Sequence, residues 1–423
     1  MNGAHMKNNK EKYISLKRNF SWTFISNVIY SVSQWGVLII IARLGNAEMV
    51  GQFTLGLAFI SPIIAFTTLK TETIYITDQQ NEYNFSDYFS VRLLTSCISV
   101  CILLVLLLVV DNSTETVIII LLVSLYKITE SVSQMVYATM QKQEVVKFIA
   151  VSKSIKGLLM LIIITFSLYS LNSIILGLFL INVLYLLMFL LFDLKNALNF
   201  SIVKVQYIPQ RFLQIIKIAL PLGFLYMLTS LNTNIPRYFV ESFFDTEILG
   251  YFSAISYMVV NNVNVFTNAL NNIIIPRFSM LISSNELFKI KKLLRNLELL
   301  GLSLGIFSIT LVFVFGDLLL NIVYGHDYIP YTNIFKILIF SSLFLFISSF
   351  HNCLIFSARY FRIQPILGLI WIFSSIILGF ILIPHFGLEG VAYSVVLVSI
   401  IQFISRFILL KVVIRKLEIY SQT

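Results

Sequence analysis

Polar side chains recur at helical spacing inside three strongly apolar segments of this sequence. At about 100° per residue, each segment collects amide, hydroxyl and ionisable groups on one arc of a helix. The candidate ligand-contacting residues are Asn27, Tyr30 and Gln34 in the first segment, Lys127, Glu130 and Gln134 in the second, and Asn261, Asn264 and Asn268 in the third. An ionisable group costs roughly 2.5–3.5 kcal/mol at a bilayer centre, so we expect these arcs to face water or other polar groups.

The chemistry of the arcs suits an uncharged ligand that is rich in hydroxyl groups, such as a sugar. Amides and hydroxyls both donate and accept hydrogen bonds, and Asn232 adds a further amide to the set. The alternative is interhelical hydrogen bonding, for which polar residues are ordinary material in membrane helices. For Lys127 and Glu130, a neutral structural pair three residues apart is equally open. We favour a hydrated path for the asparagine arc and for the arc that contains Lys127.

The composition identifies the medium that surrounds these helices. Of 423 residues, 58% are hydrophobic and 12% are charged, and the mean hydropathy is +0.89. A soluble domain carries about 25% charged residues, so a soluble enzyme, a disordered chain and a nucleic-acid-binding protein are excluded. Three cysteines and four histidines favour neither a disulfide framework nor a metal site. The sequence predicts an all-α, multi-pass membrane protein.

Apolar windows of about 20 residues, the length that crosses a bilayer, occur about twelve times. They lie near residues 20–42, 52–69, 90–110, 117–139, 152–170, 173–193, 214–236, 249–273, 297–320, 333–356, 363–383 and 388–410. We predict a cytoplasmic leader at 1–19, of which residues 1–5 resemble a cloning remnant, a six-helix lobe at 20–200, a cytoplasmic linker at 201–213 and a second six-helix lobe at 214–423.

The positive charges test this count of spans. With a cytoplasmic N-terminus, we count all but four of the 30 Lys and Arg residues with the cytoplasmic segments, including Arg92 after span two, Lys156 after span four and Arg406 with the tail. Lys and Arg accumulate on that side of membrane proteins, so both termini are predicted to be cytoplasmic and the net charge of +10 reflects topology. The exceptions are Arg43 and Arg237 at the outer ends of spans one and seven, and Lys127 and Lys336 within spans four and ten.

A short motif recurs between the first two spans of each lobe. Its copies, about 199 residues apart, are Glu48-x-x-Gly51-x-Phe53 and Glu247-x-x-Gly250-x-Phe252. Lobes with an even number of spans share one orientation, so the axis that relates them runs along the membrane normal. Such parallel repeats are an architecture of transporters, in which the substrate path lies between the lobes.

Several short motifs, in a characteristic order, resemble those of a known transporter family. They are Asn19-Phe20-Ser21-Trp22, Tyr30-Ser31-Val32-Ser33-Gln34-Trp35, Gly51-Gln52-Phe53, Asn234-Ile235-Pro236-Arg237-Tyr238-Phe239, Gly250-Tyr251-Phe252, Tyr324-Gly325-His326-Asp327-Tyr328 and Gly387-Leu388-Glu389-Gly390-Val391-Ala392. Across nearly its whole length the chain resembles the polysaccharide flippases of the Wzx type, which transport O-antigen or capsule repeat units. These flippases belong to the multidrug/oligosaccharidyl-lipid/polysaccharide (MOP) exporter superfamily.

The resemblance implies a MATE-like fold, with two six-helix lobes around a central cavity that opens alternately to each side of the bacterial cytoplasmic membrane. It implies an undecaprenyl-diphosphate-linked oligosaccharide as cargo, with membrane lipids and other polysaccharide assembly proteins as partners. Cationic cavity residues of such flippases receive the diphosphate, and Arg237 matches the arginine of its motif; a headgroup anchor is the other interpretation. Arg43, Lys127 and Lys336 are further candidates for the diphosphate.

No cofactor, metal or nucleic acid is expected, and coupling to the membrane potential, H⁺ or Na⁺ is left open. The chain departs from drug exporters of the same superfamily, because Glu130 is the only well-centred carboxylate and no clear acid cluster lies at mid-membrane. A cation-coupled multidrug exporter remains the main alternative. A membrane polysaccharide polymerase would need a large external loop, and the predicted external loops of this chain are short. A lipid II flippase often carries two extra helices, for which this chain has no length. We find no catalytic constellation and expect a protein that is not an enzyme.

Overall fold

The structure is a computed structural model and describes residues 2–78, 82–109, 113–206, 208–358, 360 and 363–422. Within these ranges, the side chains of residues 2–18, 20, 109, 265, 268, 269, 272 and 420–422 lie outside the description. The described backbone is helical and contains no β-strand. Ten described helical segments are long and apolar enough to cross a membrane, so the prediction of an all-α membrane protein is confirmed.

The chain forms two compact units, Met1–Met227 and Leu228–Thr423. The helices of unit 1 are α1 (Asn2–Leu44), α2 (Ala47–Thr67), α3 (Thr71–Thr77), α4 (Phe85–Val109), α5 (Thr114–Lys142), α6 (Lys147–Leu171), α7 (Ile174–Leu187) and α8 (Leu194–Ala197). A π-helical turn, Met188–Asp193, joins α7 to α8. The next helix, α9 (Pro209–Phe243), begins in unit 1 and ends in unit 2, and its first turn overlaps the predicted linker.

Unit 2 contains the remaining long helices. They are α10 (Thr246–Ser283), α11 (Leu287–Val323), α12 (Thr332–Ser357) and α13 (Gln364–Gln422), with a 3₁₀ turn at His326–Tyr331 before α12. The last two predicted spans both lie in α13, which bends at Gly387, where φ is +56° and ψ is −134°. Glycine permits this bend because residues with a side chain rarely adopt such a positive φ. The predicted span at 249–273 lies in α10, part of whose side chains are outside the description.

The recurring motif marks the beginning of corresponding helices in the two units. The side chain of Asn46 caps α2 by accepting a hydrogen bond from the backbone N–H three residues later, at 2.8 Å. Asp245 caps α10 in the same way, at 2.7 Å. Both residue types are favoured N-caps because a side-chain oxygen satisfies a backbone N–H that has no helical partner. Phe53 and Phe252 then enter the two cores, 2% and 1% exposed.

Each unit has its own packed apolar core. Its buried members include Tyr88, Met135 and Phe212 in unit 1, and Phe278, Phe350 and Trp371 in unit 2. Because lipid is as apolar as such a core, close packing and interhelical hydrogen bonds hold membrane helices together. Gly157 of α6 shows how closely helices approach, since a Cβ at this position would lie 2.9 Å from Ser33 Oγ of α1.

Candidate functional site

Two helices of unit 1 bring predicted site residues together. Tyr30 and Gln34 lie one turn apart on α1, and Lys127 and Glu130 lie three residues apart on α5. Residues at these spacings share a helix face, and the close contact of Gly157 holds α6 against the face of α1 that carries Tyr30. The four polar side chains thereby form one hydrogen-bonded group.

The centre of this group is the Glu130 carboxylate. Its Oε1 accepts a hydrogen bond from the Tyr30 hydroxyl at 2.5 Å, and its Oε2 accepts one from Lys127 Nζ at 2.9 Å. Lys127 also donates to Gln34 Oε1 at 3.5 Å. On α7, the Tyr185 hydroxyl lies 3.0 Å from that of Tyr30. We call these five residues the Glu130 group, in which the carboxylate and the ammonium neutralise each other.

The Glu130 group is only partly enclosed. The side chains of Lys127 and Glu130 are 22% and 16% exposed. Beside the group, Asn27 accepts a hydrogen bond from Lys153 Nζ at 3.2 Å, and Gln134 is half-buried without belonging to the group. The structure therefore brings most of the unit 1 candidates to one place, and their role in substrate binding stays a prediction.

A second polar group lies beside the first and was not predicted. Asp193, the last residue of the π-helical turn, is 1% exposed, and Lys156 on α6 is 2% exposed. Asp193 Oδ2 accepts hydrogen bonds from Lys156 Nζ at 2.6 Å and from the Tyr137 hydroxyl at 3.1 Å, and Oδ1 accepts one from Ser152 at 2.6 Å. Lys156 also donates to Ser133 Oγ at 3.1 Å. We call these five residues the Asp193 group.

The two groups are neighbours, because Lys156 Nζ lies 5.4 Å from the centre of the Tyr185 ring in the Glu130 group. Unit 1 thus contains a second carboxylate, Asp193, that is buried more deeply in the protein than Glu130. Sequence reasoning placed Asp193 at the edge of a span and counted Lys156 among the loop charges. A helix that continues through the π-helical turn to Ala197 carries Asp193 into the interior.

Arg92 on α4 is a second cation that the loop count misassigned. It is fully buried and pairs with Glu72, and it also donates to Thr71 Oγ1 at 2.9 Å and to the Ser131 carbonyl at 3.2 Å. The sequence contains an opposite charge for each, Glu72 for Arg92 and Asp193 for Lys156. Only the fold shows that the helices carrying these charges are neighbours. Pairs of this kind are typical of ionisable residues retained within membrane segments.

The unit 2 candidates have a different environment. Arg237 on α9 is half-buried, and its Nη1 donates to Asn234 Oδ1 at 2.8 Å. All nine carboxylates after Leu228 belong to described residues, and none of them forms an ion pair with Arg237. Asn232, five residues before it, has a buried Oδ1 that no described residue contacts through a hydrogen bond. Arg237 therefore lies in a polar but uncharged part of unit 2.

The other predicted residues are more dispersed. Asn261 is half-buried and Asn264 is exposed on α10, whereas the side chain of Asn268 lies outside the described residues. Lys336 is half-buried on α12, and Arg43 is exposed at the C-terminal end of α1. Asn262, the neighbour of Asn261 on α10, donates to Ser308 Oγ at 2.8 Å.

One pocket of unit 1 lies apart from the predicted site residues. The described part of unit 1 has a pocket of about 450 Å³, lined by Tyr75, Tyr83, Phe85 and Lys204 among others, and none of the predicted site residues lines it. Throughout the described ranges, no three His, Cys, Asp or Glu side chains gather closely enough to hold a metal ion. The arrangement can bind ligands through hydrogen bonds and unneutralised charge.

Comparisons with known proteins identify the family of this chain. A family model described as polysaccharide biosynthesis protein matches residues 16–282, more than half of the chain. The chain is also 28% identical over 393 residues to the capsular polysaccharide biosynthesis protein CapF of Staphylococcus aureus, covering 92% of this chain and 98% of the relative.

Solved structures share the fold at low sequence identity. The lipid II flippase MurJ, in an inward closed conformation, matches with a TM-score of 0.72 at 16% identity, covering 96% of this chain and 90% of MurJ. An inward-facing multidrug resistance transporter of the MATE family and MOP superfamily matches with a TM-score of 0.69 at 12% identity, covering 92% and 95%. The all-α, MATE-like fold predicted from the sequence is thus confirmed.

Proposed function

Because the chain belongs to the polysaccharide biosynthesis protein family, we propose that it is a flippase for lipid-linked oligosaccharides. Its cargo is an undecaprenyl-diphosphate-linked repeat unit, which it moves from the inner to the outer leaflet of a bacterial cytoplasmic membrane. Two likenesses support the proposal, one to a protein named for capsular polysaccharide biosynthesis and one in fold to a lipid II flippase. The function is transport by alternating access, with both termini in the cytoplasm.

The observation that carries the proposal is the unneutralised charge of Arg237. An ionisable group inside a membrane segment is retained when a partner compensates its charge, and among the described residues Arg237 forms a hydrogen bond with the neutral Asn234 and an ion pair with no carboxylate. A lipid diphosphate supplies the missing anion, and a guanidinium binds phosphate oxygens through two parallel hydrogen bonds. Arg43, Lys127 and Lys336 remain further candidates, although Lys127 already has Glu130 as its counterion.

The glycan requires a different surface from the diphosphate. Sugar hydroxyls both donate and accept hydrogen bonds, so amides and hydroxyls without net charge suit them. We assign this role to Asn27, Tyr30, Gln34, Glu130 and Gln134 in unit 1, and to Asn232, Asn261, Asn264 and Asn268 in unit 2. The polyprenyl tail is as apolar as the bilayer and stays in it, which leaves only the polar head for the protein to enclose.

The main alternative is a cation-coupled multidrug exporter of the same fold. It is favoured by the two buried carboxylates of unit 1, Glu130 and Asp193. Each already has a lysine ammonium as counterion, at 2.9 Å and 2.6 Å, so neither offers a vacant site for a cation. A cationic drug would also be repelled by Arg237, which makes an anionic cargo the better match.

The test is deletion of the gene in its host, with two assays on the same cells. We expect loss of the surface polysaccharide together with accumulation of the complete lipid-linked repeat unit on the cytoplasmic face. Complementation by Arg237→Gln should not restore export, whereas the exposed Arg415→Gln should. Unchanged surface polysaccharide in the deletion strain would refute the proposal and favour a drug exporter. Single repeat units already displayed outside would instead indicate a polymerase.

A further inference from the structure

A second half-buried arginine of unit 2 lies on α13, in the predicted span at 388–410. The guanidinium of Arg406 stacks on the ring of Trp371, with 4.6 Å between its Cζ and the ring centroid. Its Nη1 donates a hydrogen bond to Ser348 Oγ on α12 at 2.9 Å. Ser348 is fully buried and Trp371 is 6% exposed. The arginine is therefore held against the interior of unit 2 by contacts that are all neutral.

The remaining edge of this guanidinium forms no hydrogen bond that the described residues supply. Arg406 Nε is buried and forms no hydrogen bond with any described residue, and none of the nine carboxylates of unit 2 pairs with Arg406. Nε and Nη2 form the lateral fork of an arginine, which matches two oxygens of a phosphate group. A fork in this state is available to an anion that the chain itself does not provide.

A second unsatisfied polar atom lies close by on α12. His351 follows Ser348 by three residues and so shares its helix face. Its ring packs against Phe403 and Phe407, which flank Arg406 along α13. His351 Nε2 lies 2.8 Å from Glu298 Oε1, whereas its buried Nδ1 has no hydrogen-bond partner among the described side chains and backbone. Buried polar atoms are nearly always satisfied, so two exceptions at one helix interface indicate a binding position.

Packing alone does not explain why a charged residue occupies position 406. A partly buried cation with no counterion loses hydration that no opposite charge replaces. One neutral hydrogen bond and one cation–π contact offset only part of that loss. An uncharged side chain at position 406 would stabilise the empty unit better, so the charge is explained by a ligand.

We propose that Arg406, positioned by Trp371 and Ser348, binds a phosphate or diphosphate group, and that in transport this group belongs to the lipid-linked substrate. The second part rests on the proposed function. The position is distinct from Arg237. Leu228 and Phe239 of α9 pack beside Gly368 and Gly379 of α13, so at about 1.5 Å per residue Arg237 lies roughly 9 Å along the helix axis from Trp371. Unit 2 then has a phosphate-binding arginine at a second position along its helices.

The test uses the purified full chain in phosphatidylcholine nanodiscs, with Trp22 and Trp35 replaced by Phe so that Trp371 is the reporter. Farnesyl diphosphate is titrated while Trp371 fluorescence is followed, with farnesol as the control for the tail. We expect a saturable change, about tenfold weaker binding for Arg406→Gln, an intermediate value for Arg406→Lys, and no change for the exposed Arg415→Gln. Thermal unfolding of each variant controls for its folding.

Two further titrations identify the source of the phosphate. If inorganic diphosphate binds as tightly as farnesyl diphosphate, the site is supported and recognises the phosphate group without a lipid tail. If phosphatidylglycerol in the nanodiscs abolishes the response of Trp371 to farnesyl diphosphate, the site is supported and binds the phosphate of lipid headgroups.

Two outcomes would overturn the proposal. One is the absence of any saturable change in Trp371 fluorescence when a phosphate ligand is added. This result is obtained without an Arg406 variant, so it does not depend on whether such a variant folds. The other is an unchanged affinity for farnesyl diphosphate in a folded Arg406→Gln variant. If Arg237→Gln weakens binding in the same assay, the flippase proposal stands and only the Arg406 site is refuted. Weaker binding by Arg406→Gln together with normal polysaccharide export in the deletion strain would support the site and refute the flippase.

Discussion

The buried cations of the two units have different partners. In unit 1, Lys127 pairs with Glu130 at 2.9 Å and Lys156 pairs with Asp193 at 2.6 Å. In unit 2, Arg237 and Arg406 contact an amide, a hydroxyl and an aromatic ring, and no described carboxylate pairs with either. Unit 1 therefore compensates Lys127 and Lys156 internally, whereas Arg237 and Arg406 of unit 2 have no carboxylate partner among the described residues.

This difference separates two roles that a charged residue can have inside a membrane protein. A compensated pair can serve register and packing, because each partner satisfies the other. An uncompensated cation attracts an anionic ligand, and its removal leaves no opposite charge behind in the protein. The two kinds of residue should consequently respond in opposite ways to substitution, with stability affected in unit 1 and ligand binding affected in unit 2.

The largest effect on stability is expected from Asp193→Asn. The substitution leaves the Lys156 ammonium buried at 2% exposure without its counterion, and breaking a buried pair costs about 3–5 kcal/mol. We expect a much lower midpoint of thermal unfolding in detergent and poor accumulation in the membrane. The double variant Lys156→Met/Asp193→Leu, which removes both charges, should recover most of the stability. If Asp193→Asn alone were as stable as the wild type, the Asp193 group would not be a structural pair.

A smaller effect is expected from Glu130→Gln. The Glu130 carboxylate accepts hydrogen bonds from Lys127 and Tyr30, and a hydrogen bond to a charged group contributes about 1.5–3 kcal/mol. Partial exposure of both charged side chains places the loss at the low end, about 1–2 kcal/mol, as measured by denaturant or thermal unfolding. Gln134→Ala, one turn away and outside the Glu130 group, is the matched control. A larger loss for the control than for Glu130→Gln would contradict the hydrogen-bonded group.

The smallest effect on stability, and the opposite pattern for transport, is expected from Arg237→Gln. Only one hydrogen bond to a neutral amide is lost, so the free energy of unfolding should change by less than about 1 kcal/mol. Export of surface polysaccharide should nevertheless fall at least tenfold, while Arg237→Lys, which keeps the charge but not the bidentate geometry, retains part of it. Stable protein with wild-type export from Arg237→Gln would remove this residue from the diphosphate site.

Much of the fold was predictable because its rules are local. The all-helical, membrane-spanning character follows from hydropathy along the chain, and ten of the described helical segments are long and apolar enough to cross a membrane. The lobe boundaries and the sidedness of the loops stay predictions. The structure reproduces the helical segments, and it explains the repeated motif by the corresponding caps Asn46 and Asp245. The bend at Gly387 joins two predicted spans into α13. The sequence indicates this bend only by the presence of a glycine between the two spans.

The candidate site was predictable only in part. Helical periodicity placed Tyr30 with Gln34 and Lys127 with Glu130, because residues on one helix face are neighbours in any fold. The contact between these two faces required knowledge of which helices pack together. Arg406 was counted as a charge of the cytoplasmic tail, and its stacking on Trp371, 35 residues earlier, depends on the bend that folds the two halves of α13 together.

The sequence by itself determined the medium, the helices and the faces that each helix would keep polar, since hydropathy and the 3.6-residue period act along the chain. It also determined membership of the polysaccharide biosynthesis protein family. Tertiary structure alone decided which charges are compensated. Lys156 meets Asp193 through a π-helical turn, whereas Arg237 and Arg406 meet no carboxylate in the described part of the chain. Ion pairing depends on distances of a few ångströms between helices that are remote in sequence, and no local rule specifies those distances.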